Sequence, residues 1–217
     1  HWGGDSTANW HNLIPQIEAG LGFGLSGFQF WSQDIGGFLG TTGGPLLVRW
    51  MQAGLFLSHA RIHGVGDREL YKFDPQVLRI CRDYLHLRYR LLPYIHGSAF
   101  DCVERSLPMA RALVLEFQDD PSVWNIGDQW LLGDGLLVAP LFDESGAREV
   151  YLPEGEWTDW WTGTRLEGRR WIHVEADLET LPARGGRDRR VGIRDDRVYG
   201  FENGDCGGRA VGRHVQS

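Results

Sequence analysis

The periodicity of the chain changes once, near Pro108, and that change limits the folds open to it. Before this point, short apolar runs alternate with helical stretches, the pattern of βα units around a parallel sheet. Leu25-Ser-Gly-Phe-Gln-Phe-Trp31 reads as a strand, the polar Ser32-to-Phe38 segment as a loop, and Pro45 to Leu57 as a helix. The next strand falls on Ser58 to His63, and Asp74-Pro75 opens a long helix, with Asp as cap and Pro in the first turn. That helix carries Val77, Leu78, Cys81, Leu85 and Tyr89 near helical spacing, meets a kink at Pro93 and ends before Pro108. Beyond Pro108 the runs Ala110–Phe117, Trp130–Ala139, Glu149–Leu152, Trp157–Trp161 and Trp171–Val174 alternate with turn residues, which predicts a β-sandwich. From about Arg184 the chain becomes rich in Arg, Gly and Asp and loses any period, and no structure is expected there.

With 217 residues, 42% of them hydrophobic, the chain can bury a sizeable core and reads as a soluble globular protein. No apolar run is long enough to span a bilayer as a helix, so a membrane partner is not expected. A net charge of -7 repels a nucleic-acid backbone, and the ten Trp are not interleaved with basic residues. Cys81, Cys102 and Cys206 are odd in number and lack a CxxC pairing, which leaves buried small side chains as their expected state. His1 is not an initiator Met, so the chain is expected to start inside a longer protein, and secretion stays open.

Two acidic residues stand where chemistry could occur. Asp5 follows two glycines and lies near the indole of Trp2, so the backbone can approach a ligand while an aromatic wall excludes water, a setting that suits a proton donor. Asp5-Ser-Thr ahead of Trp10, Leu13, Ile14 and Ile17 also reads as a helix N-cap, and both roles remain open. Asp34 follows an aromatic strand and precedes two glycines; it is either a ligand-facing carboxylate or a loop Asp satisfying its own turn. His59 and His63 are four apart, but no Glu follows His59 and Gly64 suits a strand end, so no metal site is expected. His63 reads equally as a buried, bonded histidine or a donor to a ligand hydroxyl. There is no G-x-S-x-G elbow and no P-loop.

The ordered motifs resemble those of glycoside hydrolase family 31. His1-Trp-Gly-Gly-Asp-Ser6 resembles the family's acid/base signature, Gly27-Phe-Gln-Phe-Trp-Ser-Gln-Asp-Ile-Gly-Gly-Phe38 its seventh-strand signature, and Ala60-Arg-Ile-His-Gly64 its eighth. Leu115–Pro121, Leu132–Pro140 and Tyr151–Trp157 resemble the sandwich that follows the barrel. The resemblance implies the C-terminal part of a (β/α)8 TIM barrel over 1–108, a proximal β-sandwich over 109–183 and an Arg/Gly-rich tail over 184–217. The tail departs from the family pattern and reads as either a frameshifted stretch or a solvated basic segment.

The resemblance further implies a retaining α-glycosidase acting on terminal α-linked xylose or glucose of an oligosaccharide, without metal or organic cofactor. Asp5 matches the general acid/base; Trp2, Asp34, Phe38 and His63 match the pocket for the nonreducing-end sugar, and the nucleophile belongs to an earlier strand that this chain does not contain. The wording is nearest to bacterial α-xylosidases, which favours a cytoplasmic location and leaves room for a homo-oligomer of the longer parent. A noncatalytic carbohydrate-binding remnant and a transglycosylase of the same fold are the competing functions.

Overall fold

The computed structural model describes residues 1–186, 191–194 and 197–200. Helix α1 (Trp10–Leu25) starts where the Asn9 side chain accepts a hydrogen bond from Asn12 N at 3.0 Å. The cap is therefore Asn9 and not Asp5, since a cap must sit two or three residues ahead of the amide it satisfies and Asp5 is too far from the first turn. Leu13, Ile17 and Leu21 bury one face of α1, and Gly20 lets the helix lie directly on Trp31, whose ring would be 2.4 Å from any added Cβ.

The first half then runs through β1 (Asp34–Ile35), α2 (Gly44–Gly54), β2 (Arg61–Ile62) and α3 (Pro75–Arg105). β1 and β2 pair in parallel, with Asp34 opposite Arg61 and Ile35 opposite Ile62. The strands are shorter than the apolar runs suggested. Phe28–Trp31 is extended but lacks a continuous ladder, being tied instead by single bonds such as Met109 N to Gln29 O at 2.9 Å. α3 is capped as expected, Asp74 accepting from Gln76 N and Val77 N, and its 31 residues continue through Pro93 to a left-handed Ser106.

α2 is buried from Leu46 to Gly54, including Arg49 and Gln52. It is covered by Ile35, by α3, and by the 176–181 loop. The Arg49 guanidinium donates to the carbonyls of Thr180, Ala176 and Asp177 and to Gln52 Oε1, while Gln52 Nε2 donates to Leu178 O. On α3, Tyr84 donates its hydroxyl proton to Glu179 O and accepts from Leu181 N. Polar side chains thus fasten the β half to the helices across an otherwise apolar boundary.

Beyond α3 lie β3 (Ala110–Ala112), β4 (Trp130–Leu132), β5 (Leu136–Val138), β6 (Ala147–Leu152), β7 (Glu156–Asp159), β8 (Arg165–Glu167), β9 (Arg170–Glu175) and β10 (Ala183–Gly186). A six-stranded antiparallel sheet has the order β3-β4-β5-β10-β7-β8, and β6 and β9 form a separate ribbon. The period-2 alternation decides which core each residue joins. Trp130, Leu132, Leu136 and Val138 face the helices, whereas Leu131 and Leu137 face Val150, Leu152 and Val174 of the ribbon. The sheet is a middle layer between helices and ribbon, and so β4 and β5 read as continuous apolar runs. The Trp130–Ala139 run breaks into two strands at Gly133, whose φ of +57° turns the chain.

The segment from Arg184 departs from the expectation of no structure. Arg184–Gly186 lies in the sheet, paired on one side to β5 and on the other to β7, and Arg184 Nη1 meets Asp159 Oδ2 at 2.6 Å. Backbone pairing on both edges and one neutralised charge outweigh the composition there. β11 (Val191–Arg194) and β12 (Arg197–Gly200) pair as an antiparallel hairpin. The rest of the tail expectation, and Cys206, lie outside the described residues. Cys81 and Cys102 are buried and free, and burial pushes the Cys81 thiol up to about 12.

Candidate active site

Three consecutive extended segments lie side by side. Trp2 pairs in parallel with Ser32, and Asp34 pairs in parallel with Arg61, so the loops that follow all leave at the same edge. This is the carboxyl edge, where barrel folds carry their chemistry. Asp5, Asp34, Phe38 and His63 lie on or just beyond it, and Trp2 lies at the end of the first segment.

The loops hold one another through backbone bonds. Phe38 N and Leu39 N both donate to Ser6 O at 2.7 and 2.9 Å, Ala8 N donates to Leu39 O at 2.8 Å, and Val65 N donates to Phe38 O at 2.8 Å. Gly37 makes the closest approach. Its φ is +77°, and a Cβ there would stand 2.7 Å from Ala8 N, so a side chain would separate the Asp5 loop from the Phe38 loop. Arg68, buried, donates to Gly37 O and Gly40 O and fixes the same turn from behind. Arg88 from α3 donates to the carbonyls of Leu55, Leu57 and Ser58, satisfying the chain between α2 and β2, and burial brings its pKa down to about 10.

Asp34 is fully buried. Its Oδ1 accepts from Arg61 Nε at 2.7 Å, and its Oδ2 is buried with no protein donor. The carboxylate does not satisfy its own turn; there the Asp34 carbonyl accepts from Gly37 N. The Arg61 guanidinium also lies over the Trp2 indole, 4.9 Å from the ring centroid. Phe38 and His63 stand with ring centroids 5.4 Å apart and planes tilted by 38°, and His63 is exposed, which removes the reading of a buried, internally bonded histidine. Asp5 is exposed as well, between Gly4 in the left-handed region and buried Ser6. The indole expected to shield it is itself 54% exposed and is engaged by Arg61.

Arg61, Arg68 and Arg88 did not stand out from the sequence as parts of the site. A signal existed only for Arg61, which lies in the same short motif as His63; its partner Asp34 is 27 residues away and is set by strand register. Burial lowers the pKa of neighbouring His59, and the Arg88 guanidinium acts in the same direction. Among the described residues no group of three or more His, Cys, Asp or Glu side chains is arranged to hold a metal ion, and no helix is long and apolar enough to cross a membrane.

This edge gathers a buried carboxylate, an exposed one and aromatic rings at one end of parallel extended segments. Residues 1–98 match the glycosyl hydrolases family 31 TIM-barrel domain and residues 106–187 match the glycosyl hydrolase family 31 C-terminal domain. The chain belongs to glycoside hydrolase family 31. It is 39% identical over 185 residues to alpha-glucosidase 2 of Bacillus thermoamyloliquefaciens, a match covering 83% of this chain and 24% of the relative. It is 37% identical over 191 residues to an alpha-xylosidase of Saccharolobus solfataricus, covering 83% and 26%. Among solved structures, a soil-metagenome alpha-xylosidase complexed with xylose superposes with a TM-score of 0.81 at 31% identity, covering 86% of this chain and 32% of that one. A Flavobacterium johnsoniae dextranase complexed with glucose gives 0.81 at 34%, covering 86% and 25%. The chain spans about a quarter of the length of these curated relatives.

Proposed function

We propose that the protein carrying this chain is a retaining α-glycosidase that releases terminal α-linked xylose or glucose from oligosaccharides by double displacement. The observation that carries the reading is Asp34 Oδ2, a buried carboxylate oxygen with no protein partner at the edge where the Asp5 loop also ends. A buried acceptor of this kind costs free energy unless a donor fills it, and a sugar hydroxyl is such a donor. The xylose and glucose recorded in the related structures belong to the same ligand class.

In this reading Asp5 protonates the glycosidic oxygen as the bond to the anomeric carbon breaks and a second carboxylate attacks that carbon. The leaving sugar departs with the proton. Asp5, now ionised, takes a proton from water as the water displaces the carboxylate, which restores the acid and releases sugar of retained configuration. Asp34 is not read as the nucleophile, because its Oδ1 is bonded to the Arg61 guanidinium, which weakens a carboxylate as an attacker. Asp34 and His63 hold sugar hydroxyls, while Trp2 and Phe38 supply aromatic faces.

The test is Asp5→Asn in the whole enzyme. Unactivated disaccharides should lose several orders of magnitude in kcat/KM, while an aryl glycoside with an acidic leaving group, which needs no proton, should keep much of its first step. Wild-type turnover of both removes Asp5 from the acid role.

A further inference from the structure

Arg61 is absent from the set of residues that the resemblance places in the pocket, yet it touches two members of that set at once. Its Nε–H donates to Asp34 Oδ1 at 2.7 Å, and its guanidinium carbon lies 4.9 Å from the Trp2 ring centroid. The two contacts use different parts of one planar group. The Nε–H fixes one carboxylate oxygen, and the charged guanidinium carbon sits over an indole.

We propose that Arg61 is a positioning residue that sets the unpartnered Oδ2 of Asp34, the oxygen offered to a sugar hydroxyl, and couples it to the segment leading into the Asp5 loop. The inference rests on the glycosidase reading for its substrate and on the geometry for its mechanism. A carboxylate has one free torsion near its end, so holding Oδ1 on Arg61 fixes where Oδ2 points. Without that bond the buried carboxylate loses both its counter-charge and its orientation. The indole contact passes the constraint on: Trp2 precedes Gly3, whose N–H donates to Ser32 O at 3.0 Å, and Ser32 N donates in turn to His1 O at 3.0 Å. Arg61 therefore spans the first and third segments across the second, on the side-chain side, while the backbone pairs them through Ser32. Lysine replaces the two contacts less well, because its single ammonium must serve both the carboxylate and the indole from one point, whereas Arg61 uses Nε for one and the guanidinium carbon for the other.

The experiment is a double-mutant cycle in the whole enzyme. Arg61→Gln, Asp34→Asn and the pair are compared for KM and kcat on an aryl α-xyloside and an aryl α-glucoside, and for calorimetric binding of free xylose and glucose. Arg61→Gln should weaken binding and raise KM about tenfold or more, with a smaller change in kcat. Added to Asp34→Asn it should cost less than twofold more, because the group it orients is already altered. Arg61→Lys should recover only part of the loss, and it supplies the same cycle if the Gln variant fails to fold. Losses that multiply in the double variant, or unchanged KM and binding in a folded Arg61 variant, overturn the proposal. If the wild-type enzyme cleaves neither glycoside, the glycosidase reading fails, and the binding cycle still decides the coupling of Arg61 to Asp34.

Discussion

The Ser58 hydroxyl serves both backbone groups of Trp31, accepting from its N–H at 2.8 Å and donating to its carbonyl at 2.6 Å. One side chain thereby satisfies both backbone groups of Trp31, between the single bonds at Gln29 and the bridge at Ser32, and it does so at the start of the segment leading to β2. The bonds are buried, so they are not replaced by water when the hydroxyl is removed.

Ser58→Ala should therefore cost about 1–3 kcal/mol, the penalty of leaving a buried amide and carbonyl unpaired. Denaturant unfolding of the whole enzyme would show it as a lower midpoint at unchanged slope. An unchanged midpoint would mean that the two segments are held by other contacts.

Gly37→Ala should damage the site more than the fold. The added Cβ meets Ala8 N at 2.7 Å and sits on a backbone of φ +77°, so the Asp5 loop must give way. Gly27, at φ +94° with nothing within 4 Å of an added Cβ, isolates the backbone strain alone. Gly27→Ala should lose about 1 kcal/mol of stability and keep its kcat/KM, whereas Gly37→Ala should lose activity as well. Equal kcat/KM in the two variants would remove the loop contact from the argument.

His173 predicts a pH dependence of stability. It lies opposite Glu149 on the β6–β9 ribbon, and the hydrogen bond between them at 2.6 Å raises the imidazole above its ordinary pKa. A raised pKa in the folded state favours the charged form, so the contribution is fully present below about pH 6.5 and is lost as pH rises through the folded value. The melting temperature of wild type relative to His173→Gln should be higher at about pH 5.5 than at about pH 8.5, and about 1 M salt should shrink the difference because the pair is exposed. A difference independent of pH would exclude the pair as its source.

Tyr89, Leu92, Phe100 and Val103 line one side of α3 at helical spacing and are 71%, 43%, 65% and 58% exposed. The 217-residue chain expressed alone should self-associate through this stripe and bind a hydrophobic dye. Phe100→Glu with Leu92→Glu should raise its monomeric fraction in gel filtration. A wild-type chain that is monomeric and melts sharply contradicts the prediction.

Local rules were sufficient for part of this protein. Asp74-Pro75 set the start of α3, the alternation after Pro108 marked the β half, and the motifs around Asp5, Asp34 and His63 pointed to a sugar-cleaving family because each is contiguous in the chain. Where two local readings competed, the sequence left both open: Asn9 took the helix cap from Asp5, and Asp34 turned to Arg61 instead of its own loop. Only tertiary structure decided the partners of the buried arginines. Arg49, Arg68 and Arg111 look like surface charges in sequence, as does half-buried Arg88, yet each finds carbonyls or carboxylates brought from distant elements, such as Thr180 for Arg49 and Asp134 for Arg111. A guanidinium can be buried only where several acceptors converge, and convergence is a property of packing, which no run of neighbouring residues records. The same reason separates the motif from the site. The chain by itself determined that Asp34 and Arg61 exist, and the parallel register of β1 and β2 made them a pair.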